Sequence, residues 1–239
     1  GSPAEREALS FAVAKLIEYG CDTAYVMPMT RTAAVNTSSG IAVGLLRGTT
    51  GRIIVLGGHI DSAGPDIPGA NDDGSGSAVV LEAARVLGEK ELQSTIVFAL
   101  FGGEEQGLEG SKLFVERFEG IDSVVLMLQI DMANGLGTII MDPDAHGASA
   151  PPWLVLAAVE EFAALGYSGL VYPTHYFATN YSAGSGSASD HAPFLLAGIP
   201  AIDFTTDVGD PIHTQQDTCE NFAIAGLKRS GDLVLLLVD

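Results

Sequence analysis

Ile53-Ile54-Val55-Leu56-Gly57-Gly58-His59-Ile60-Asp61 is the stretch that decides the fold. Its unbroken apolar run, with no polar alternation, is the pattern of a strand buried on both faces, as parallel sheets require. The strand delivers His59 and Asp61 at its carboxyl end. Next, the Gly-rich turn Gly69 to Gly76 opens a helix over Ser77 to Leu87, whose small residues Ser77, Ala78, Ala83 and Ala84 suit close packing on a sheet. The pattern then repeats. A strand over Thr95 to Phe101 ends in Gly102-Gly103-Glu104-Glu105 and a helix follows around Leu108 to Phe118, while a strand over Ser123 to Ile130 ends in Asp131. This alternation predicts an α/β fold: a single domain over residues 1–239 with a central mixed, largely parallel β-sheet flanked by helices on both faces. Open sheets of this kind place their sites at the carboxyl ends of the strands, so the polar motifs converge on one edge.

Outward from this centre, Ser2-Pro3 followed by Leu9, Val13, Leu16 and Ile17 reads as an N-cap, a first-turn proline and an amphipathic helix ending at Gly20. Gly1-Ser2 reads as a remnant of cloning. Strands are expected at Thr23 to Met29 and Ile41 to Leu46. In the second half, Pro151-Pro152 starts a helix over Trp153 to Leu165, and Tyr167 to Gly186 reads as a long surface loop bordering a cleft. Asp190 is expected to cap a short helix through Ala197. A strand over Ala201 to Phe204 and a closing helix over Phe222 to Val238 complete the pattern.

Thirty acidic against eleven basic residues give a formal net charge of −19, which repels nucleic acid and anionic membranes. The distribution is more telling: no Lys or Arg occurs between Arg117 and Lys228, so whatever binds that half is neutral or cationic. The apolar runs are too short to span a bilayer, and no membrane contact by this domain is expected. Cys21 and Cys219 are too few for a disulfide framework, and a pair and two buried thiols are both compatible with the sequence.

The chemistry lies in His59, Asp61, Asp72, Glu104, Glu105, Asp131 and His213. A lone His-x-Asp is common in inert structure, but Asp61 puts a carboxylate where a metal-bound imidazole needs a partner for its second nitrogen. Asn71-Asp72-Asp73-Gly74 suits a turn for backbone reasons alone, and Glu104-Glu105 suits the first turn of a helix. Both glutamates nevertheless follow a buried strand and two glycines, where one carboxylate can serve a metal and the other a water. Asp131 is the sharpest anomaly. An ionised carboxylate ending a buried strand needs a cation or a dense set of donors, and no basic residue is near in sequence. His146 and His175 fall in loop-like sequence, and His191 stands at a helix start. Two divalent cations sharing one carboxylate need about three protein ligands each, a number that two imidazoles and several carboxylates meet. There is no Gly-x-Ser-x-Gly elbow, Walker A loop or Cys-x-x-Cys pair.

In order, Gly-Gly-His-Ile-Asp-Ser, Pro-Gly-Ala-Asn-Asp-Asp-Gly-Ser-Gly, Phe-Gly-Gly-Glu-Glu-Gln-Gly-Leu-Glu-Gly-Ser, Gln-Ile-Asp-Met, Ser-Asp-His-Ala-Pro-Phe and Ile-His-Thr-Gln-Gln-Asp-Thr resemble the M28 family of co-catalytic zinc peptidases, which includes bacterial secreted leucyl aminopeptidases. The resemblance runs from about Asn36 to Thr218 and implies the zinc-exopeptidase, phosphorylase/hydrolase-like version of the fold. It implies two Zn2+, one on Asp72, Glu105 and His213 and the other on Asp72, His59 and Asp131, with Asp72 bridging. It further implies Glu104 as general base, Asp61 as the partner of His59, and a cis peptide at Asp72-Asp73. The implied substrate is a peptide with a free N-terminus, and the implied location is extracytoplasmic: secreted, periplasmic or envelope-associated. The sequence leaves the oligomeric state and the first-subsite preference open, although Met132 beside Asp131 is placed to line a specificity pocket.

Two features depart from the family pattern. No tyrosine occurs in Gly184 to Ala188, where family members often carry one that contacts the reaction intermediate, leaving Tyr176 and Tyr181 as substitutes. The chain is also short, with no protease-associated insert. Three alternatives follow from the fold. A carboxypeptidase would need Lys or Arg to grip a carboxylate; a glutaminyl cyclase would carry Ser in place of Asp73 and Trp in place of Ile212, whereas Trp153 is the only tryptophan; a non-catalytic binding ectodomain would have lost ligands that this chain keeps.

Overall fold

The computed structural model describes residues 2–29, 40–133, 139–145, 147–167, 189–206, 211–221 and 224–238. The first helix, α1 (Pro3–Glu18), starts as its sequence dictates: the Ser2 hydroxyl accepts the Glu5 amide at 3.0 Å, Pro3 occupies the first turn, and Leu9, Ala12 and Leu16 turn inward. Strands β1 (Thr23–Pro28), β2 (Gly40–Leu46), β3 (Ile53–His59), β4 (Thr95–Phe101), β5 (Val124–Ile130), β6 (Ile139–Asp142) and β9 (Ala201–Thr206) form one seven-stranded sheet in the order β1-β2-β4-β3-β5-β9-β6. The central strands β4, β3, β5 and β9 are parallel, whereas β1, β2 and β6 join antiparallel. Burial on both faces is what lets β3, β4 and β5 be continuously apolar.

Helices cover both faces, as the alternation of side chains along β4 demonstrates. Leu100 faces α1 and α2 (Gly74–Leu87), while Phe101 meets Phe114 of α3 (Glu109–Arg117) and Phe194 of α5 (His191–Leu196), with ring centroids 5.7 and 6.3 Å apart. Helices α4 (Pro152–Ala164) and α6 (Ile224–Val238) pack on each other, and α6 packs on α2.

Register brings the motifs to one edge. His59 pairs with Phe101, immediately before Gly102-Gly103-Glu104-Glu105, and Gly57 pairs with Gln129, two residues before Asp131. Close approach at this edge depends on Gly76, where a Cβ would stand 2.1 Å from the Ile130 carbonyl oxygen and 2.5 Å from Asp73 Oδ1. Only a glycine lets the first turn of α2 sit against the end of β5.

Several elements depart from the sequence expectation. Helix α2 starts three residues earlier than Ser77, because Asp73 caps it by accepting the Gly76 amide at 2.8 Å. Strand β6 and a small hairpin, β7 (Asp144–Ala145) with β8 (Ala148–Ser149), occupy sequence too short for periodicity to reveal. Asp190 precedes α5 but does not cap it: its own backbone is helical and its carboxylate is fully buried. Cys21 and Cys219 are free thiols rather than a pair. The expected loop falls largely outside the described residues, as do His146, His175, Tyr176, Tyr181 and Gly184 to Ala188.

Candidate metal centre

His59 closes β3, and its ring is wholly buried. Nδ1 lies 3.0 Å from the Asp61 main-chain carbonyl oxygen and 3.7 Å from the Asp61 carboxylate. A carbonyl only accepts, so Nδ1 carries a proton, and Nε2 is the nitrogen left on the cleft side for a cation. Asp61 thus meets the ring most closely through its main-chain carbonyl, and its carboxylate, beside the ring, receives the Glu104 amide at 3.1 Å, fixing where the glutamate pair begins.

The cis peptide expected between Asp72 and Asp73 is present, and the two carboxylates point to different tasks. Asp72 Oδ1 lies 3.0 Å from His59 Nε2, and its Oδ2 lies 2.8 Å from His213 Nε2. One carboxylate therefore faces both imidazoles. Asp73 also lies within 4.8 Å of His59 and Asp131, but its oxygens accept the amides of His59 (2.9 Å), Gly76 (2.8 Å) and Met132 (3.0 Å). With its lone pairs committed to three backbone donors, Asp73 ties β3, α2 and the end of β5 together rather than facing the cleft.

Each imidazole has a further carboxylate. Asp131 Oδ1 is 3.6 Å from His59 Nε2, and Glu105 Oε1 is 3.3 Å from His213 Nε2; neither oxygen has a hydrogen-bond partner among the described residues. Donor atoms about 2.0–2.1 Å from a tetrahedral zinc stand about 3.3 Å from one another. The separations of 2.8, 3.0, 3.3 and 3.6 Å bracket that value, and the orphaned buried oxygens are those a cation would satisfy. An all imidazole and carboxylate set suits zinc and also admits cobalt or manganese. His213 and Met132 adopt φ of 56° and 64°, conformations that cost a residue with a Cβ about 1–2 kcal/mol, so the surroundings hold both in place.

The electrostatics are those of anions crowded without counter-charge. Burial pushes Glu104 up to about 10, with Asp190, Asp131 and Glu105 adding to it against the opposing pull of His59. Burial and Asp72 raise Glu105 to about 7, and burial raises Asp190 to about 7. For His59, burial alone would lower the value, but the neighbouring carboxylates of Asp131, Asp61 and Asp72 carry it well above the imidazole range. Burial would raise Asp131 too, yet His59, Ser189 and His191 hold it below the usual value.

All seven residues singled out in the sequence lie in this cluster. Sequence reasoning missed the tasks of Asp73 and Asp217, whose carboxylates grip backbone amides. Asp217 stands next to last in the His213 motif, and its amide partners, Asn71 and Asp72, lie 146 and 145 residues away along the chain. No local pattern signals such a contact.

The profile of Peptidase family M28 matches residues 41–238. Aminopeptidase YwaD of Bacillus subtilis (strain 168) is 32% identical over 201 residues, covering 78% of this chain and 40% of the relative. A probable lipoprotein aminopeptidase, LpqL of Mycobacterium tuberculosis, is 32% identical over 165 residues, covering 64% of this chain and 31% of the relative. Among solved structures, BSAP, a zinc aminopeptidase from Bacillus subtilis, superposes with a TM-score of 0.69 at 28% identity, over 85% of this chain and 50% of that one. The chain spans half or less of the length of these relatives.

Proposed function

The chain belongs to peptidase family M28, and from that premise we propose that residues 1–239 form the catalytic domain of a two-zinc aminopeptidase that hydrolyses the N-terminal peptide bond of peptides. The observation that carries the proposal is Asp72, with one oxygen 3.0 Å from His59 Nε2 and the other 2.8 Å from His213 Nε2. In this reading Asp72, His59 and Asp131 would hold one ion, and Asp72, Glu105 and His213 would hold the other. The ions, when bound, polarise the scissile carbonyl and make a water acidic enough to yield a nucleophile near neutral pH.

The remaining work falls to side chains. Glu104 accepts the proton of the attacking water and returns it to the leaving amine nitrogen. Burial first, and then the neighbouring anions, raise it to about 10, and bound cations would offset the anionic part, moving it down toward the range a base at neutral pH needs. Asp61 positions Glu104 through its amide and holds the His59 ring by its carbonyl. Asp131 and the absence of Lys and Arg between Arg117 and Lys228 suit a substrate ammonium and disfavour a substrate carboxylate. Asp73, committed to three amides, also separates this centre from the serine-bearing turn of a cyclase.

Among the described residues no helix is long and apolar enough to cross a membrane, and similarity to a lipoprotein aminopeptidase supports an extracytoplasmic, envelope-associated location. A panel of aminoacyl-arylamides and peptides tests the function. Chelation is expected to abolish hydrolysis and zinc to restore it, and N-acetylation should slow cleavage at least about tenfold, the loss expected from one charge-assisted contact. Full activity in a zinc-free chelated sample, or equal rates on blocked and free peptides, overturns the proposal.

A further inference from the structure

Residues 211–218, which carry His213, form no helix or strand, yet they set the distance between His213 and Asp72. Its neighbours are exposed: His213 is 54% exposed along its side chain, and Gln215 and Gln216 face solvent. Asp217, by contrast, is 3% exposed. Its carboxylate accepts the Asn71 amide on Oδ1 at 2.7 Å and the Asp72 amide on Oδ2 at 3.1 Å, and its carbonyl accepts the Ala70 amide at 3.2 Å. Three successive amides leading into the bridging carboxylate therefore end on one residue. On its other side, the Asp217 amide donates to the Thr214 carbonyl at 3.2 Å, and the Thr214 hydroxyl donates to the Pro211 carbonyl at 2.6 Å, closing the turn that contains His213.

We propose that Asp217 is a positioning residue that couples the His213 loop to the Asp72 turn and so sets the affinity of the His213–Glu105 metal site, without itself touching metal or substrate. The inference rests on the two-metal reading. A carboxylate already gripping two amides has its acceptors aimed away from the cleft, and charge-assisted bonds of this kind are among the stronger ones available to a loop. His213 needs that restraint because its backbone stands at φ 56°, a conformation a relaxed loop would leave. The site built by His59 and Asp131 draws instead on β3 and β5 of the sheet and on the backbone grip of Asp73. The two sites should therefore respond differently to loss of Asp217.

Asp217→Asn in the full 239-residue chain places an NH2 donor against one of the two amide donors while keeping the shape. Calorimetric addition of zinc to chelator-stripped protein should show two equivalents in the wild type. In the variant, one equivalent should bind as before and the other at least about tenfold more weakly, the loss of one hydrogen bond to a charged group. Activity at limiting zinc should fall and return at excess zinc. The rise in Tm that zinc produces should shrink, whereas a merely structural role would lower Tm equally with and without zinc. Asp217→Glu keeps the acceptors but lengthens the arm by one methylene; it should give the same split by a smaller factor and carries the test if Asp217→Asn does not fold. Two equivalents bound with wild-type affinity, or both weakened alike, overturn the inference. A wild-type chain that binds fewer than two equivalents overturns the two-metal reading instead, and this inference with it.

Discussion

Adjacent and chemically alike, Glu104 and Glu105 are separated by their surroundings. Glu105 Oε1 stands 3.3 Å from His213 Nε2 and lacks a hydrogen-bond partner among the described residues, whereas Glu104 is fixed by its amide on Asp61, and burial, with neighbouring anions, raises it to about 10. Glu104→Gln is therefore expected to keep two zinc ions per chain and lose about 10²- to 10⁴-fold in kcat with little change in KM, the usual cost of removing a general base. Glu105→Gln should lose one ion and regain part of its activity at high zinc. Metal analysis beside steady-state kinetics separates the two, and near-wild-type turnover in Glu104→Gln would falsify the assignment. The pair Asp72 and Asp73 makes the same point. One carboxylate faces two imidazoles and its neighbour faces three amides, so their identical chemistry is divided by geometry alone.

Helix α2 and strand β5 meet without side-chain spacing at Gly76, because the place of its Cβ is taken by the Ile130 carbonyl oxygen. A methyl group there must push the first turn of α2 off the strand, and overpacking of this kind costs about 1–3 kcal/mol or more. Since Asp73 caps that turn and also holds the His59 and Met132 amides, the displacement reaches the centre. Gly76→Ala should thus lower both the denaturation midpoint and zinc affinity. A variant with unchanged midpoint and two tightly bound ions would show that the close contact is not needed. On the opposite face, Phe101, Phe114, Phe118 and Phe194 stack and meet edge-on at 4.6–6.3 Å, fixing α3 and α5 to the sheet beneath Glu104 and Glu105.

At the scale of the molecule, a net charge of −19 and a cleft of buried carboxylates bias the metal-free protein toward acid. Glu104 at about 10, and Glu105 and Asp190 at about 7, bind protons more tightly when folded than in the unfolded chain, and His59 does likewise. Their contribution is full below the ordinary carboxylate range and is lost as pH rises through about 7 and on toward 10. Asp131 has the opposite sign but titrates below that window. Chelated protein should therefore melt higher at pH 6 than at pH 8, by at least about 2–4 °C if the difference reaches about 1 kcal/mol. Zinc should shrink or reverse the difference, because protons then compete with the cation for the same atoms. A chelated sample that gains stability toward pH 8, measured by thermal melting at fixed ionic strength, would contradict this account.

What the sequence determined by itself was whatever depends on local pattern. Continuous apolar runs mark β3, β4 and β5 because burial on both faces leaves no polar position, and the donors at their ends mark the sheet edge because buried carboxylates need a partner. The resemblance of six ordered motifs named the family and the cluster in advance. The sequence did not determine short elements such as β6, whose four residues carry no period, or the antiparallel outer strands, since pairing direction leaves no trace in composition. Nor did it show that Asp190 is buried rather than capping, or that Asp73 and Asp217 hold backbone. An aspartate reads the same on the page whether its oxygens meet a cation, an amide or water. Only the tertiary structure brings Asp217 against amides 145 and 146 residues away, and that meeting places one carboxylate between two imidazoles.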